Sequence, residues 1–596
     1  MSPIRPMTPP AGQRSPLRTR PGSPAPPSGA RALHRRANAM RRLKVLGVIV
    51  AACLLAAGCG TSSSSSGGSG AASGVLTIDN ESGGTWTCDF NPFNLSYISY
   101  SLGPVYEPLA FVNTLQSGKA TPWLATSWTW GAGNKQLTFT IRKGVKFSNG
   151  DPLTAADVAF TFNLLKKFPT LDINAIWSVL ASVTTQGSDQ VVMTFKTVSV
   201  PSFYYIADQV GIVDPAIWSK VANPVTYPDK NPVGTGAYVV SSSTCTPQNI
   251  KYTASKHYWQ PGRPKVGTVN YPAFLTNDTA NTYLANGQAQ WGSQFIPSIQ
   301  SFYLSKSPDY HYWFPPVANV SLFINLTNPI LKNVAVRQAM AYAIDRQKAS
   351  SIGEYGYEPA SNQAGIVTPT FASWLNTSQA AAYGNNYAYN PAKAISILQN
   401  AGFKRGSDGI FQTPSGQPLS FTILNNGGFS DWVAAVQTIQ ASLKAVGIQV
   451  TPENLAATTY ESDLYTGKYQ LGYDSETGGP TPYFELRQWL YSPNSAPIGT
   501  AAGSNFERYS NPATDALINE YGATTSAAMQ HSIVDQLQKV MLQDVPVIPV
   551  TEEVDWFQYD TGSFSGWPTQ SNPYAQPAAY NYPDWGQVML NLAPKG

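Results

Sequence analysis

The chain has 596 residues, with 38 Lys or Arg against 34 Asp or Glu and 12% aromatic residues. Ten of the basic residues fall within 1–44, which hold no Asp or Glu, so the rest carries 28 basic against 34 acidic side chains. The positive balance therefore belongs to one terminal segment and nothing beyond it points to nucleic acid, while some 520 residues remain to build two or three lobes with cores of their own.

Residues 1–44 are rich in proline, lack a hydrophobic period and cannot bury a core. Residues 45–58 are apolar and uncharged, too short to span a bilayer comfortably and the right length for a signal-peptide core. Arg41, Arg42 and Lys44 precede this run, and Ala56, Ala57 and Gly58 precede Cys59. The pattern looks like a bacterial lipoprotein signal with Cys59 as the lipidated residue; Cys53, after Val50, Ala51 and Ala52, is a weaker candidate because its apolar run is short. Met40 would make a better start than Met1, so residues 1–39 read as a misassigned start or an unusually long leader. Residues 60–74 are a Gly/Ser tether reaching roughly 20 Å. The expectation is an extracytoplasmic protein, lipid-anchored at the outer face of the cell membrane.

With Cys59 lipidated, Cys88 and Cys245 are left as an even pair in an oxidising compartment, a candidate disulfide whose alternative is two buried free thiols. Leu137, Phe139 and Ile141 alternate with polar residues and turn at Lys143–Gly144 into Val145 and Phe147, which predicts a half-buried hairpin. Thr154 and Asp157 form a possible capping box before Val158, Phe162 and Leu165 at helical spacing. Pro391 opens a helix carrying Ile395 and Leu398 that Gly402 stops. Val436, Ile439, Leu443 and Val446 form the next stripe, with Gly447 as its stop and Ile448–Val450 continuing as strand. Ile533, Leu537 and Val540 mark a third helix leading into "VPVIPV". Such alternation predicts an α/β architecture.

Motifs for chemistry are sparse. His257, His311 and His531 are scattered, and no H-E-x-x-H, Cys-x-x-Cys pair, G-x-S-x-G elbow or P-loop occurs. Glu552 and Glu553 are adjacent, so on a strand they point to opposite faces and read as a solvated edge rather than a glycosidase pair. The expectation is a protein that is not an enzyme and uses no metal or cofactor.

"PWLATSWTW" (122–130), "LTFTIRKGVKFSNGDPLTAADVAFTF" (137–162), "NPVGTGAY" (231–238) and "VRQAMAYAIDRQK" (336–348), in that order, resemble the family 5 extracellular solute-binding proteins, the binding components of ABC importers for oligopeptides, dipeptides, nickel and some sugars. The resemblance implies a two-lobed periplasmic-binding-protein-like α/β fold with an additional subdomain on the first lobe. It places the first lobe at 75–317 with a C-terminal return at 549–596, the subdomain at about 120–215 and the second lobe at 318–548. The implied partners are a small-molecule solute, ABC permease subunits and a separate ATPase, with the binding protein a monomer.

"CDFNPFN", "GFSDWVAAVQTI", "SNFERYSNPATDALINE" and "GWPTQSNPYAQP" are similar to the branch that binds β-linked oligosaccharides. Peptide-binding members carry an aspartate for the peptide amine in the segment matching "YDSETGGPTPYFE", where this chain offers Asp474 or Glu476. A sugar suits aromatic platforms edged with amides and carboxylates, whereas a peptide needs buried partners for both charged ends. Trp291 with Gln294 and Phe295, Asn426 with Phe429 and Trp432, and the run from Tyr473 to Tyr483 fit the sugar description better. Trp291 and Trp432 are expected to face each other from opposite lobes, whereas Trp123, Trp128 and Trp130 are assigned to packing.

Overall fold

Residues 72–80, 84–368, 370–476 and 478–595 are described by the structure, a computed structural model. The leader, the lipidation candidate Cys59 and the tether up to residue 71 lie outside the described residues. Three main sheets organise the described chain. The largest has eight strands, among them Ser73–Asp79, Asn249–Ala254, Val266–Pro272, Trp291–Gly292, Tyr310–Tyr312 and Gln558–Asp560. A five-stranded sheet runs in the order Gln449–Leu455, Ser420–Asn426, Leu471–Ser475, Pro316–Ile324, Val547–Val554. A four-stranded antiparallel sheet joins Ala125–Gly131, Gln136–Ile141, Gln190–Phe195 and Leu180–Gln186. The architecture is two α/β lobes with an additional four-stranded unit.

Local sequence explains most of these elements. The alternation of Leu137, Phe139 and Ile141 builds a strand that buries all three. Its neighbours are Ala125–Gly131 and Gln190–Phe195, however, rather than the chain beyond the Lys143–Gly144 turn. Two neighbours use the hydrogen-bonding groups on both edges, so Val145 and Phe147 are buried without pairing to this strand. The Thr154 N–H donates to Asp157 Oδ2 at 2.7 Å, starting the helix Ala155–Lys167 whose Val158, Phe162 and Leu165 are buried. The helix Ser430–Ala445 buries Val436, Ile439 and Leu443, and Gly447 takes a φ of 84° where the chain turns into Gln449–Leu455.

Between the eight- and five-stranded sheets the chain passes twice, at 313–315 and 555–557. The two passages are bonded together: the Trp313 N–H donates to the Phe557 carbonyl at 3.0 Å, and the Asp555 N–H to the Pro315 carbonyl at 2.9 Å. Glu552 and Glu553 lie just before the return passage, on the edge strand Val547–Val554. They point to opposite faces, but the edge is not solvated. Glu552 is 1% exposed and accepts bonds from the N–H and hydroxyl of Thr368, because the segment around Thr368 covers that face. Cys88 and Cys245 are joined in a disulfide with Cα atoms 5.8 Å apart.

Candidate functional site

Open α/β sheets take ligands in the crevice beyond the carboxyl ends of their parallel strands. Here two such ends converge. In the five-stranded sheet, Ser420–Asn426 and Leu471–Ser475 are parallel, and their ends deliver Phe429 and Trp432, and Asp474 and Ser475. In the eight-stranded sheet, Ser73–Asp79 and Val266–Pro272 are parallel, and their ends deliver Asn80 and Tyr271. All six line one cavity of about 280 Å³, together with Trp86, Tyr100, Glu358, Glu553, Trp556 and Tyr580.

Aromatic rings form much of its wall, and each is fixed from behind. The Trp86 Nε1–H donates to the Tyr271 carbonyl at 2.7 Å, and its ring lies 4.9 Å from those of both Tyr100 and Tyr271. Asn80 Nδ2 donates to the Tyr271 hydroxyl at 3.0 Å. Opposite, Trp432 meets Phe429 edge-on at 5.1 Å and Tyr473 at 5.6 Å. Trp556, in the return passage, packs on Phe314 at 4.9 Å and Phe295 at 5.5 Å.

Asp474 and Ser475 also line a second cavity of about 160 Å³, which adds Glu476, Arg487, Gln209, Tyr204, Tyr205, Tyr465 and Tyr582. The Arg487 guanidinium lies 5.2 Å from the Tyr205 ring centre and 4.9 Å from that of Tyr491. Tyr204 packs on Phe484, in the helix Pro482–Leu490, at 5.1 Å. Burial pushes Asp474 up to about 7 and raises Glu476 well above the usual carboxylate range, where Glu507 adds its charge. Burial likewise pushes Asp431 up to about 7 and Glu553 up to about 8.

Trp432, Asp474 and Glu476 line these cavities, and the other expected site residues stand elsewhere. Trp291 is fully buried in the eight-stranded sheet; its Nε1–H donates to the Pro577 carbonyl at 3.0 Å and its ring packs on Trp567, so it does not face Trp432. Gln294 is fully buried, its Oε1 accepting the Ser293 N–H, and Phe295 packs behind Trp556. Asn426 accepts the Gly428 N–H and shapes the turn into the Trp432 helix. Tyr473 backs Trp432 from the sheet. Tyr483 stacks on Tyr521 at 3.9 Å and lines neither cavity, standing behind Tyr205 and Arg487 in an adjoining pocket.

Sequence reasoning missed Trp86, Tyr271, Glu358 and Glu553. The signal that could have found Trp86 and Tyr271 is their position just after or at the end of a strand, as for Asp474.

Comparison with known proteins gives the family. The chain belongs to the bacterial extracellular solute-binding proteins, family 5, whose profile matches residues 119–497. It is 24% identical over 414 residues to the nickel-binding periplasmic protein of Escherichia coli K12, covering 66% of this chain and 75% of that one. It is 25% identical over 454 residues to the glutathione-binding protein GsiB of Shigella dysenteriae, covering 72% and 80%. Among solved structures, the mannohexaose-bound periplasmic oligopeptide-binding protein of an oligopeptide ABC transporter from Thermotoga maritima is 27% identical with a TM-score of 0.82, covering 87% of this chain and 98% of that one. The oligopeptide-binding protein AppA of Bacillus subtilis, in complex with a nonapeptide, has a TM-score of 0.74 at 20% identity, a likeness of fold.

Proposed function

We propose that this family 5 protein is the solute-binding component of an ABC importer, closing two lobes around an oligosaccharide- or peptide-sized solute and releasing it, uncleaved, to a permease driven by a separate ATPase. With the boundaries at the two passages, the first lobe comprises 75–312 and 558–596, with the subdomain at about 120–215, and the second lobe 316–554, a few residues from the boundaries at 317/318 and 548/549 expected from the sequence. Cys59 carries the lipid that holds this monomer at the outer face of the cell membrane. The observation that carries the reading is the pair of adjoining cavities whose walls come from both large sheets and from the return passage between them. A solute that touches both walls favours the closed arrangement over an open one. A β-linked oligosaccharide is the favoured solute, because the walls are aromatic rings edged with carboxyl and amide groups. The mannohexaose-bound relative supports this.

One observation favours a short peptide instead: the second cavity holds Arg487 as well as Asp474 and Glu476, groups of opposite charge for the two ends of a zwitterion. Small-angle scattering with manno- and cello-oligosaccharides and with tri- to pentapeptides tests the proposal. One class should compact the protein and be recovered intact. Cleavage of a bound compound would overturn the reading.

A further inference from the structure

The strands that bring Asn80 and Tyr271 to the cavity carry a different chemistry at their other ends. Ser73–Asp79 and Val266–Pro272 run parallel from a start where Ser73 lies opposite Val266, and the Ser73 N–H donates to the Lys265 carbonyl at 2.9 Å. The chain that comes from Cys59 therefore joins the fold beside Lys265, about 20 Å along the strand from the cavity end. Residues 230–277 hold Lys230, Lys251, Lys256, Arg263 and Lys265 and no Asp or Glu, in a part of the chain where acidic residues outnumber basic ones. Lys256 follows the strand Asn249–Ala254, whose last residues lie against the start of Val266–Pro272. Arg263 shares one hollow with Arg142, Lys143 and Trp259. The Arg142 Nε–H donates to the Trp123 carbonyl at 2.9 Å and its guanidinium lies 4.5 Å from the centre of the Trp259 ring, which fixes its charge in place. Lys256 and Lys265 are exposed. The one ion pair among the described residues is Lys143–Asp189, so Arg142, Lys256, Arg263 and Lys265 form none there.

We infer that this basic face seats the protein on anionic phospholipid headgroups of the membrane that carries it, with the cavity at the far end of the same strands turned away from the bilayer. The inference rests on the proposed lipid anchor at Cys59 and adds to it a second, electrostatic contact. A tether reaching roughly 20 Å keeps the end of the fold that it enters close to the headgroups. The face at that end then meets them as an intramolecular event and needs little affinity of its own. Each Lys or Arg near an anionic bilayer adds attraction, which decays within a Debye length and complements a lipid chain as the second signal. Guanidinium groups suit phosphate oxygens, and the hollow holds two of them. Beyond residue 44 acidic residues are in excess, so the same surface repels the rest of the protein and this one face is turned towards it. An acidic segment of the permease is the other occupant such a face could take. The entry point of the tether favours the lipid surface, because it brings this face to the membrane whether or not a permease is bound.

The chain from Cys59 onward has that residue as its one free thiol, since Cys88 and Cys245 are bonded to each other. Coupling it through Cys59 to a maleimide lipid in phosphatidylcholine vesicles, with or without phosphatidylglycerol, allows a test by lysine acetylation read in a mass spectrometer. Lys256 and Lys265 should react at least about threefold more slowly on the anionic vesicles. Lys332 and Lys393, exposed on the second lobe, should react alike on both. High salt should abolish the protection. In the double variant Lys143→Glu, Lys256→Glu, which alters two exposed side chains, Lys265 should lose its protection while thermal unfolding stays as in wild type. Equal acetylation on both kinds of vesicle, or protection that the charge reversals leave intact, would overturn the inference. Solute uptake lost in cells carrying the double variant, without lipid-dependent protection, would give the face to the permease and overturn it as well. Because the coupling is chemical, the anchor is tested apart: a Cys59→Ser protein still retained at the cell membrane would overturn that reading and not the vesicle result.

Discussion

The ring of Trp432 stands edge-on to that of Tyr473, with centroids 5.6 Å apart and planes at 81°. Tyr473 is fully buried in the middle strand of the five-stranded sheet, so this contact fixes Trp432 from behind while leaving it on the cavity wall. Trp432→Ala should therefore weaken solute binding by about 2 kcal/mol or more, the range of a buried aromatic anchor. Trp291→Ala, which removes a ring packed against Trp567, should instead lower stability by about 3–5 kcal/mol and leave affinity near wild type. Calorimetric titration beside thermal unfolding of both variants separates these effects. Reversed outcomes would move the site to Trp291.

Asp474 and Glu476 separate a peptide from a sugar. If one of them holds a peptide amine, Glu476→Gln or Asp474→Asn leaves that ammonium unpaired and costs about 2–5 kcal/mol. N-acetylation of the peptide should do the same. For a neutral sugar region the amide keeps an acceptor and adds a donor, and the loss should be nearer 1 kcal/mol, as for a neutral hydrogen bond. Titrations of both variants with the preferred solute decide between them, and the smaller loss is expected.

The raised carboxyls set a slope of stability with pH. Asp431 and Asp474 are pushed up to about 7 and Glu553 up to about 8. In the unfolded chain the same groups lose their protons near pH 4, about where model peptides titrate. Between those limits the folded state binds more protons, so stability falls as pH rises from about 4 to about 8. The Tm of the solute-free protein should be higher at pH 5 than at pH 8, and Glu553→Gln should flatten the trend. A Tm that climbs over this range would contradict the assignment of these groups.

The Cys88–Cys245 bridge spans 157 residues. Loop-entropy accounting gives a bridge of that length about 4–5 kcal/mol. Trp86, two residues before Cys88, also donates its backbone N–H to the Pro247 carbonyl at 2.9 Å, so the bridged segment positions a cavity ring. Replacing both cysteines with serine should lower Tm and weaken solute binding together. Loss of Tm with unchanged affinity would show that the bridge does not hold Trp86 in place.

The helices and their stops could be read from the sequence wherever an apolar stripe ended at a glycine, as at Leu443 and Gly447. Strand partners could not, because the neighbours of Gln136–Ile141 come from both sides in sequence and pairing leaves no local mark. The same limit governs the site. Trp432, Asp474 and Glu476 lie within or beside family motifs, and each lines at least one of the two cavities. Trp291 was misplaced because its packing partners, Trp567 and Pro577, come from the C-terminal return. Glu553 was read as solvated because an edge strand is open by default, whereas here the crossover and the facing lobe enclose it.

The proposed place of solute capture is the Trp432 cavity. Calorimetric titration of wild-type protein and Trp432→Ala, side by side, with β-linked oligosaccharides and with tri- to pentapeptides tests it most directly. One class should bind the wild type saturably and one-to-one, raise its stability by about 2.7 kcal/mol at a hundred times Kd, and bind the variant much more weakly. Saturable binding of equal strength to both proteins would contradict it.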